Sequence, residues 1–240
     1  IEVCKMVPYS LIESIIGGIL LGGILAISAL GLNMIFGVTK IINFAHGEAL
    51  MIGAYVTYWF FELYSFEPVF TSIFTFPILA ILGFVIYELT IRPLVGKPSL
   101  SALLGTYGLS IFLVNFVRLI WSPRWKGVKT SLPNVDVFGL NFSAARLATC
   151  LIGLLGACLL YVFLKKTLLG RAIRATAQDA DTATLMGVNA NYTYAITFMM
   201  GTALAGIGGS LISITYTIAP EMGTLFNLMS FCIVILAGLG

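Results

Sequence analysis

The run Asn43-Phe44-Ala45-His46-Gly47-Glu48 places an amide, the only histidine and a carboxylate side by side, between stretches apolar and long enough to cross a bilayer. Together these groups can donate hydrogen bonds, accept them and hold charge. At membrane depth a charged carboxylate costs about 2.5–3.5 kcal/mol, so such groups face a protein interior or a water-filled path. Asn43, His46 and Glu48 are therefore candidate linings of a polar path, with Asn33 a weaker fourth. A structural alternative stands beside this: Asn43 caps a broken helix, and Glu48 lies in the first turn of the helix that follows. A lone histidine is more often a satisfied structural residue than a functional one.

Composition limits what can carry these residues. Of 240 residues, 59% are hydrophobic and only 10% charged, with a mean hydropathy of +1.03. Soluble chains carry about 25% charged residues. So little charge cannot cover a water-facing surface, and lipid must cover much of it. The net charge is +3, and no basic patch is interleaved with aromatics, which excludes nucleic acid as a partner. Cys4, Cys150, Cys158 and Cys232 lie far apart, with no Cys-x-x-Cys and no His/Cys cluster. They read as buried, inert thiols rather than a metal or redox site. One histidine and scattered carboxylates do not assemble an enzyme's acid/base set.

A crossing takes about 20 mostly apolar residues as a helix. The stretches 14–38, 41–63, 69–91, 100–121, 146–164, 194–217 and about 224 to the end qualify, giving about seven spans. The expectation is one all-α domain over 1–240, a polytopic transmembrane helical bundle. Gly47 and the polar cluster allow 41–63 to be broken or re-entrant. The last stretch runs apolar to the terminus, so the chain is expected to continue with at least one more span. Lys165, Lys166, Arg171 and Arg174 place loop 165–190 in the cytoplasm by the positive-inside rule. Counting back puts loop 122–145 outside, where the alternation Val135–Phe142 allows a short hairpin; the loop reads as a solvated connector. Glu88 and Arg118 lie near span ends and are expected to snorkel. Gly18 with Gly22, and Gly201, Ala205 and Gly209, are expected to be helix-packing contacts.

The segment 165–190 is the second informative region. Arg171, Arg174, Gln178 and Asp181 recur at steps of three and four, the spacing of one helix face. Ile173, Ala177, Ala180 and Thr184 make a small-residue face opposite, and Gly187 supplies a stop. Such a narrow ridge buries little area on lipid and suits a groove on another protein better. One amphipathic helix, or two, is expected as a docking element.

The strings Gly31-Leu32-Asn33-Met34-Ile35-Phe36-Gly37-Val38 and Ile42-Asn43-Phe44-Ala45-His46-Gly47-Glu48-Ala49-Leu50-Met51-Ile52-Gly53-Ala54-Tyr55 resemble the permease subunit of branched-chain amino acid ABC importers, the LivH type. Gly170 to Asn189 and Leu236 to Gly240 match that family in order and spacing. The resemblance implies an ABC importer permease fold in the plasma (inner) membrane of a prokaryote, translocating branched-chain amino acids. It also implies the partners: a second homologous permease, two cytoplasmic ATPase subunits, an external substrate-binding protein and the lipid bilayer. Gly170, Arg171, Ala172, Arg174, Ala175, Asp179, Asp181, Ala183 and Gly187 would then form the element that couples to the ATPase. The pattern Gly-x-x-x-x-Gly-Lys-Ser/Thr is absent, so ATP is expected on the partner subunits, with no cofactor and no enzymatic activity here. Urea or a short-chain amide is the alternative cargo. A secondary transporter or channel, which needs no docking helix, is the rival class.

Overall fold

The computed structural model describes residues 2–130, 134–137 and 140–238. The helices are α1 (Glu2–Thr39), α2 (His46–Tyr64), α3 (Ser72–Ile86), α4 (Ser99–Trp121), α5 (Ala144–Lys166), α6 (Leu168–Gln178), α7 (Ala180–Leu185), α8 (Ala190–Ile212) and α9 (Met222–Ala237). A π-helical turn, Tyr87–Ile91, prolongs α3. Two strands, β1 (Asn134–Val137) and β2 (Leu140–Ser143), pair antiparallel with Val137 opposite Leu140. The residues between them lie outside those described.

Helix dominates because lipid offers no hydrogen bonds, so each spanning segment must satisfy its own backbone. Each of the seven apolar stretches contains a helix, but among the described residues five are long and apolar enough to cross by themselves: Ser14–Thr39, Pro68–Leu94, Ser99–Trp121, Ala144–Lys166 and Ala190–Ile212. The difference from the expected seven lies in α2 and α9. Glu48 and Glu62 dilute α2, and α9 has 16 residues, about 24 Å of helix.

α8 is the axis of the bundle, packed against α1, α2 and α3. Its small residues allow this. A side chain at Gly201 would strike Ile35 and the Gly31 carbonyl, and one at Gly209 would strike the Leu50 backbone of α2. Gly18 and Gly22 depart from expectation. An added Cβ at either would meet nothing within 4 Å, because this face of α1 packs on no other helix among the described residues.

The path from α1 to α2 positions the site. Thr39 closes α1 by donating its hydroxyl to the Ile35 carbonyl at 2.8 Å, and Lys40 turns the chain with φ 56°. The next residues are non-helical until His46, whose ring lies 3.0 Å from the Ser28 carbonyl. Ser28 is about three turns before the end of α1, so the chain climbs back roughly 16 Å beside that helix before α2 begins. The span is thus broken upstream of Gly47. At Gly47 itself an added Cβ would strike the Gly223 carbonyl and Asn227 of α9, so this glycine serves close approach.

Three further expectations are corrected. The docking segment is two helices, the second of the two expected alternatives, but their break at Asp179 means that Asp181 does not continue the α6 face of Arg171 and Arg174. Ile173 of the small-residue face is buried against the bundle rather than offered to a groove on another protein, while Thr184 is exposed, its hydroxyl turned back to the Ala180 carbonyl. Cys150 is buried, but Cys158 and Cys232 lie exposed on the bundle surface; the Cys4 side chain lies outside those described.

Candidate functional site

Asn43, His46 and Glu48 come together in the interior, at 3%, 1% and 0% exposure. His46 Nε2 donates to the Ser28 carbonyl at 3.0 Å. A carbonyl only accepts, so a proton sits on Nε2; in the neutral ring Nδ1 is then the acceptor. Ser110 of α4 donates to Glu48 Oε1 at 2.8 Å. Ser28 and Ser230 share a 3.2 Å hydroxyl contact, and Asn227 Nδ2 donates to the Phe44 carbonyl at 2.7 Å. The break between α1 and α2 is therefore held from three sides, by α1, α4 and α9.

Asn43 does not cap α2. Its Oδ1 accepts from Ala45 N at 3.0 Å, an Asx turn just ahead of the helix, and the cap position is Ala45 with no side-chain bond. Glu48 does occupy the first turn of α2. Asn33 is half-buried on α1, turned about 140° from Ser28 around that helix.

Three acceptors in this cluster have no hydrogen-bond partner among the described residues: His46 Nδ1, Glu48 Oε2 and Asn227 Oδ1. Leaving a buried polar atom unpaired costs about 1–3 kcal/mol. Glu48 Oε2 faces the first turn of α9, where an added Cβ on Gly223 would collide with it. The first turn of a helix carries partial positive charge, which suits a carboxyl group there.

A cavity of about 280 Å³ opens onto this carboxyl, lined by Phe44, Glu48, Tyr107, Ser110, Arg118 and Glu221 among others. Pockets for small ligands begin near ~300 Å³, so the space suits a small solute. At its rim Arg118 pairs with Glu221 at 2.6 Å. Its α4 wall is open, with Tyr107 and Ile111 about half exposed.

α6 and α7 lie at the other functional end. Thr167 caps α6 by accepting from Gly170 N at 2.9 Å. Asp179 caps α7, its Oδ1 accepting from Asp181 N and Thr182 N and its Oδ2 from the Thr182 hydroxyl at 2.6 Å. The Thr182 hydroxyl and the two N–H groups hold the Asp179 carboxyl below its ordinary range. Gly170, Ile173, Thr176 and Ala183 are buried, and a Cβ at Gly170 would strike the α5 backbone. Arg171, Arg174 and Asp181 are exposed, Ala172 and Ala175 half-buried, and Gly187 turns the chain with φ 87°. Beyond them Leu185 and Met186 stand 87% and 82% exposed.

The sequence matches the family described as branched-chain amino acid transport system / permease component over residues 14–240. The chain belongs to this family. It is 32% identical to the high-affinity branched-chain amino acid transport system permease protein BraD of Pseudomonas aeruginosa, covering 97% of this chain and 80% of that one. To LivH of Salmonella typhimurium it is 31% identical, over 95% and 79% of the two chains. A probable LivH of Methanocaldococcus jannaschii is 27% identical, over 93% and 73%. No solved structure matches. This family member is a multi-pass transport permease of a prokaryotic plasma membrane, not an enzyme.

Sequence reasoning about the permease missed Ser28, Ser110, Glu221, Asn227 and Ser230, and read Arg118 only as a snorkelling charge, whereas it pairs with Glu221 at the cavity rim. A signal existed for some. Thr106 and Ser110 stand four apart on α4 and are both buried, a polar stripe inside an apolar helix. Asn227 and Ser230, three apart and both buried, make a similar stripe on α9. Arg118 and Glu221 carry no local sign, because their pairing depends on how α4 and α9 cross.

Proposed function

We propose that this chain is the membrane-spanning permease subunit of an ATP-driven ABC importer for branched-chain amino acids. The observation that carries the ATP-driven part is the α6–α7 pair. Its inner side is fixed to the bundle through Ile173, Thr176 and Ala183, while Arg171, Arg174, Leu185 and Met186 project outward. Two isolated large apolar side chains at a rigid, capped tip are the shape of a plug for a partner's groove. A secondary transporter or channel has no use for such a plug.

On this reading loop 165–190 is cytoplasmic and loop 122–145 external. Two ATPase subunits supply the stroke, a second permease completes the bundle, and an external binding protein delivers the cargo. Arg171 and Arg174 make polar contacts with the ATPase, and Ala172 and Ala175 admit close approach. The cargo passes the cluster of Asn43, His46 and Glu48, with the second permease closing the open α4 wall of the cavity. ATP-driven closure of the ATPase pair shifts the equilibrium between outward and inward access only through contacts that differ between the two forms.

The test is reconstitution with the ATPase, the second permease and the binding protein. Leu185→Asp combined with Met186→Asp should abolish ATP-driven leucine uptake while membrane insertion and the yield of folded bundle stay normal. Wild-type uptake and ATPase co-purification by that variant would sink the coupling role.

A further inference from the structure

Where α1, α6 and the link between α3 and α4 meet, the chain forms a cavity of about 420 Å³, lined by Lys40, Lys97, Ser99, Gln178 and Tyr194 among others. Lys40 leaves α1 with φ 56°, and Lys97 follows Gly96 with φ 78°, so two tight turns present two cations to one space. Neither ammonium has a partner among the described residues, and none of the described residues lining the cavity is a carboxylate. Asp179, next to Gln178, has both oxygens engaged in the α7 cap. Glu88 is likewise taken by Arg92 at 2.6 Å. The two lysines therefore suit an anion from outside the chain. From the edge of this cavity an apolar groove of about 430 Å³ runs between α3 and α4, lined by Val85, Leu89, Gly105, Gly108, Phe112 and Phe116 among others. Leu94 joins the two: it lines the cavity, and its Cδ1 would lie 2.7 Å from a Cβ added at Gly105. Gly105 to Phe116 is about 16 Å of helix, close to the depth of one leaflet, about 15 Å. The groove lies on the face of α4 opposite Tyr107, Ser110 and Ile111, so closing the cavity at Glu48 leaves it open to lipid. Its Leu89 and Phe112 are 75% and 60% exposed.

We propose that cavity and groove together form a site for one anionic phospholipid of the cytoplasmic leaflet, its phosphate between Lys40 and Lys97 and one acyl chain along α4. Basic pockets between spanning helices on the cytoplasmic side suit such headgroups. The apolar groove is what favours a lipid over a free phosphate. The occupant also bears on coupling. Thr176, Ala177 and Gln178 end α6, and Ala180 begins α7, so the headgroup meets both sides of the break at Asp179. It braces the α6–α7 pair against α1 and the α3–α4 link. In a membrane without anionic lipid the pair loses this brace, and ATP hydrolysis drives uptake less efficiently. The brace and the choice of leaflet rest on the reading of α6–α7 as the cytoplasmic coupling element; the two-part site does not.

The experiment delipidates the complex of this chain with its second permease and ATPase, with variants made in this chain alone. Native mass spectrometry then follows the binding of phosphatidylglycerol, phosphatidylcholine with the same acyl chains, and glycerol phosphate. Two lysines at an anionic headgroup account for up to about thirtyfold, so phosphatidylglycerol should bind about tenfold to thirtyfold tighter than phosphatidylcholine. Lys40→Gln combined with Lys97→Gln should remove that preference and leave phosphatidylcholine unchanged. Gly108→Leu fills the groove, and a Cβ there meets nothing within 4 Å. The complex should therefore keep its melting temperature, while displacing about two methylenes of the acyl chain weakens both lipids by about tenfold. Equal binding of the two phospholipids, a preference that survives the double lysine variant, or undiminished binding in Gly108→Leu overturns the site. Glycerol phosphate binding as tightly as phosphatidylglycerol overturns the lipid assignment. Coupling is read in proteoliposomes with and without phosphatidylglycerol. Leucine uptake per ATP hydrolysed should rise with the anionic lipid in the wild type and not in the double lysine variant; equal coupling in both membranes overturns the brace. Selective lipid binding by a complex that takes up leucine without ATP removes the importer reading and keeps the site. ATP-driven uptake with unselective binding removes the site and keeps that reading.

Discussion

Gly209→Ala tests whether the α2–α8 contact is what holds the site in place. A Cβ at 209 would lie 2.7 Å from the Leu50 carbonyl carbon and 3.1 Å from Ala54 N, and closer still to the Leu50 carbonyl oxygen. Carbon atoms rest at about 3.5 Å, so α2 and α8 must part by at least roughly 0.8 Å. No flexible side-chain end can absorb this, because the atoms struck are backbone. Overpacking of this kind costs about 1–3 kcal/mol. Taking about 2 kcal/mol, and about 2–4 °C per kcal/mol for chains of this size, the melting temperature should fall by about 4–8 °C. The matched control is Gly18→Ala, whose Cβ meets nothing within 4 Å; it should melt within about 2 °C of wild type. Thermal melting of the purified permease in one detergent, followed by tryptophan fluorescence, compares the two. Because α2 begins with His46 and Glu48, uptake should also fall in Gly209→Ala alone. If both variants melt together, the glycine face of α8 does not carry the packing assigned to it.

Asp179→Ala should unlock α7 and reduce the coupling of ATP hydrolysis to uptake, whereas Asp179→Asn, also a good cap, should keep both. Hydrogen exchange at the amides of Asp181 and Thr182 reports the cap directly, and equal protection in both variants would refute it. The pH dependence has a definite sign. The Asp179 carboxyl sits below its ordinary range in the folded chain, held first by the Thr182 hydroxyl. Its contribution is therefore complete above that ordinary range and disappears as pH falls through the depressed value. At the other end of the bundle, Lys126 Nζ lies 4.4 Å from the Tyr58 ring centre and 4.5 Å from that of Trp59, and its backbone pairs with Ile218. Losing the cation–π contact costs about 0.5–2 kcal/mol. Lys126→Gln should therefore speed chymotryptic cleavage of the 122–130 loop by between about twofold and thirtyfold, and Lys126→Arg should not; identical rates in all three would exclude the pin.

How much of this was readable depended on whether a feature is local. The apolar stretches gave the helices, and Asn43, His46 and Glu48 gave the centre of the site, because a carboxylate between spans is costly wherever it folds. Gly18-x-x-x-Gly22 misled for the converse reason: spacing shows that a close approach is possible, not that a neighbour is there. Asp181 misled because a helix-face count assumes one unbroken helix, and Asp179 is itself the residue that ends α6 and starts α7. The re-entrant path between Lys40 and His46 was anticipated only as an alternative. Its depth depends on Ser28, Ser110 and Asn227, which lie on three other helices and have meaning only once those helices are packed.

The two functional ends are joined by α8. Gly187 and the Asn189 cap, which accepts from Tyr192 N at 3.1 Å, tie α7 directly to its first turn. Farther along, Gly201 meets Gly31 of α1, Gly206 meets Gly53 of α2, and Gly209 meets the Leu50 backbone. At each of these points backbone lies on backbone, so a shift of α8 cannot be taken up by a change of rotamer. It must move α1 or α2, and those helices hold the two ends of the His46–Ser28 bond. Movement of the exposed α7 tip is thereby tied to the break where Glu48 lies. The tie has physical content only if cargo and nucleotide each bias the same two-state element. Leucine should therefore change the exchange protection of α7, and release of α7 by Asp179→Ala should remove that response.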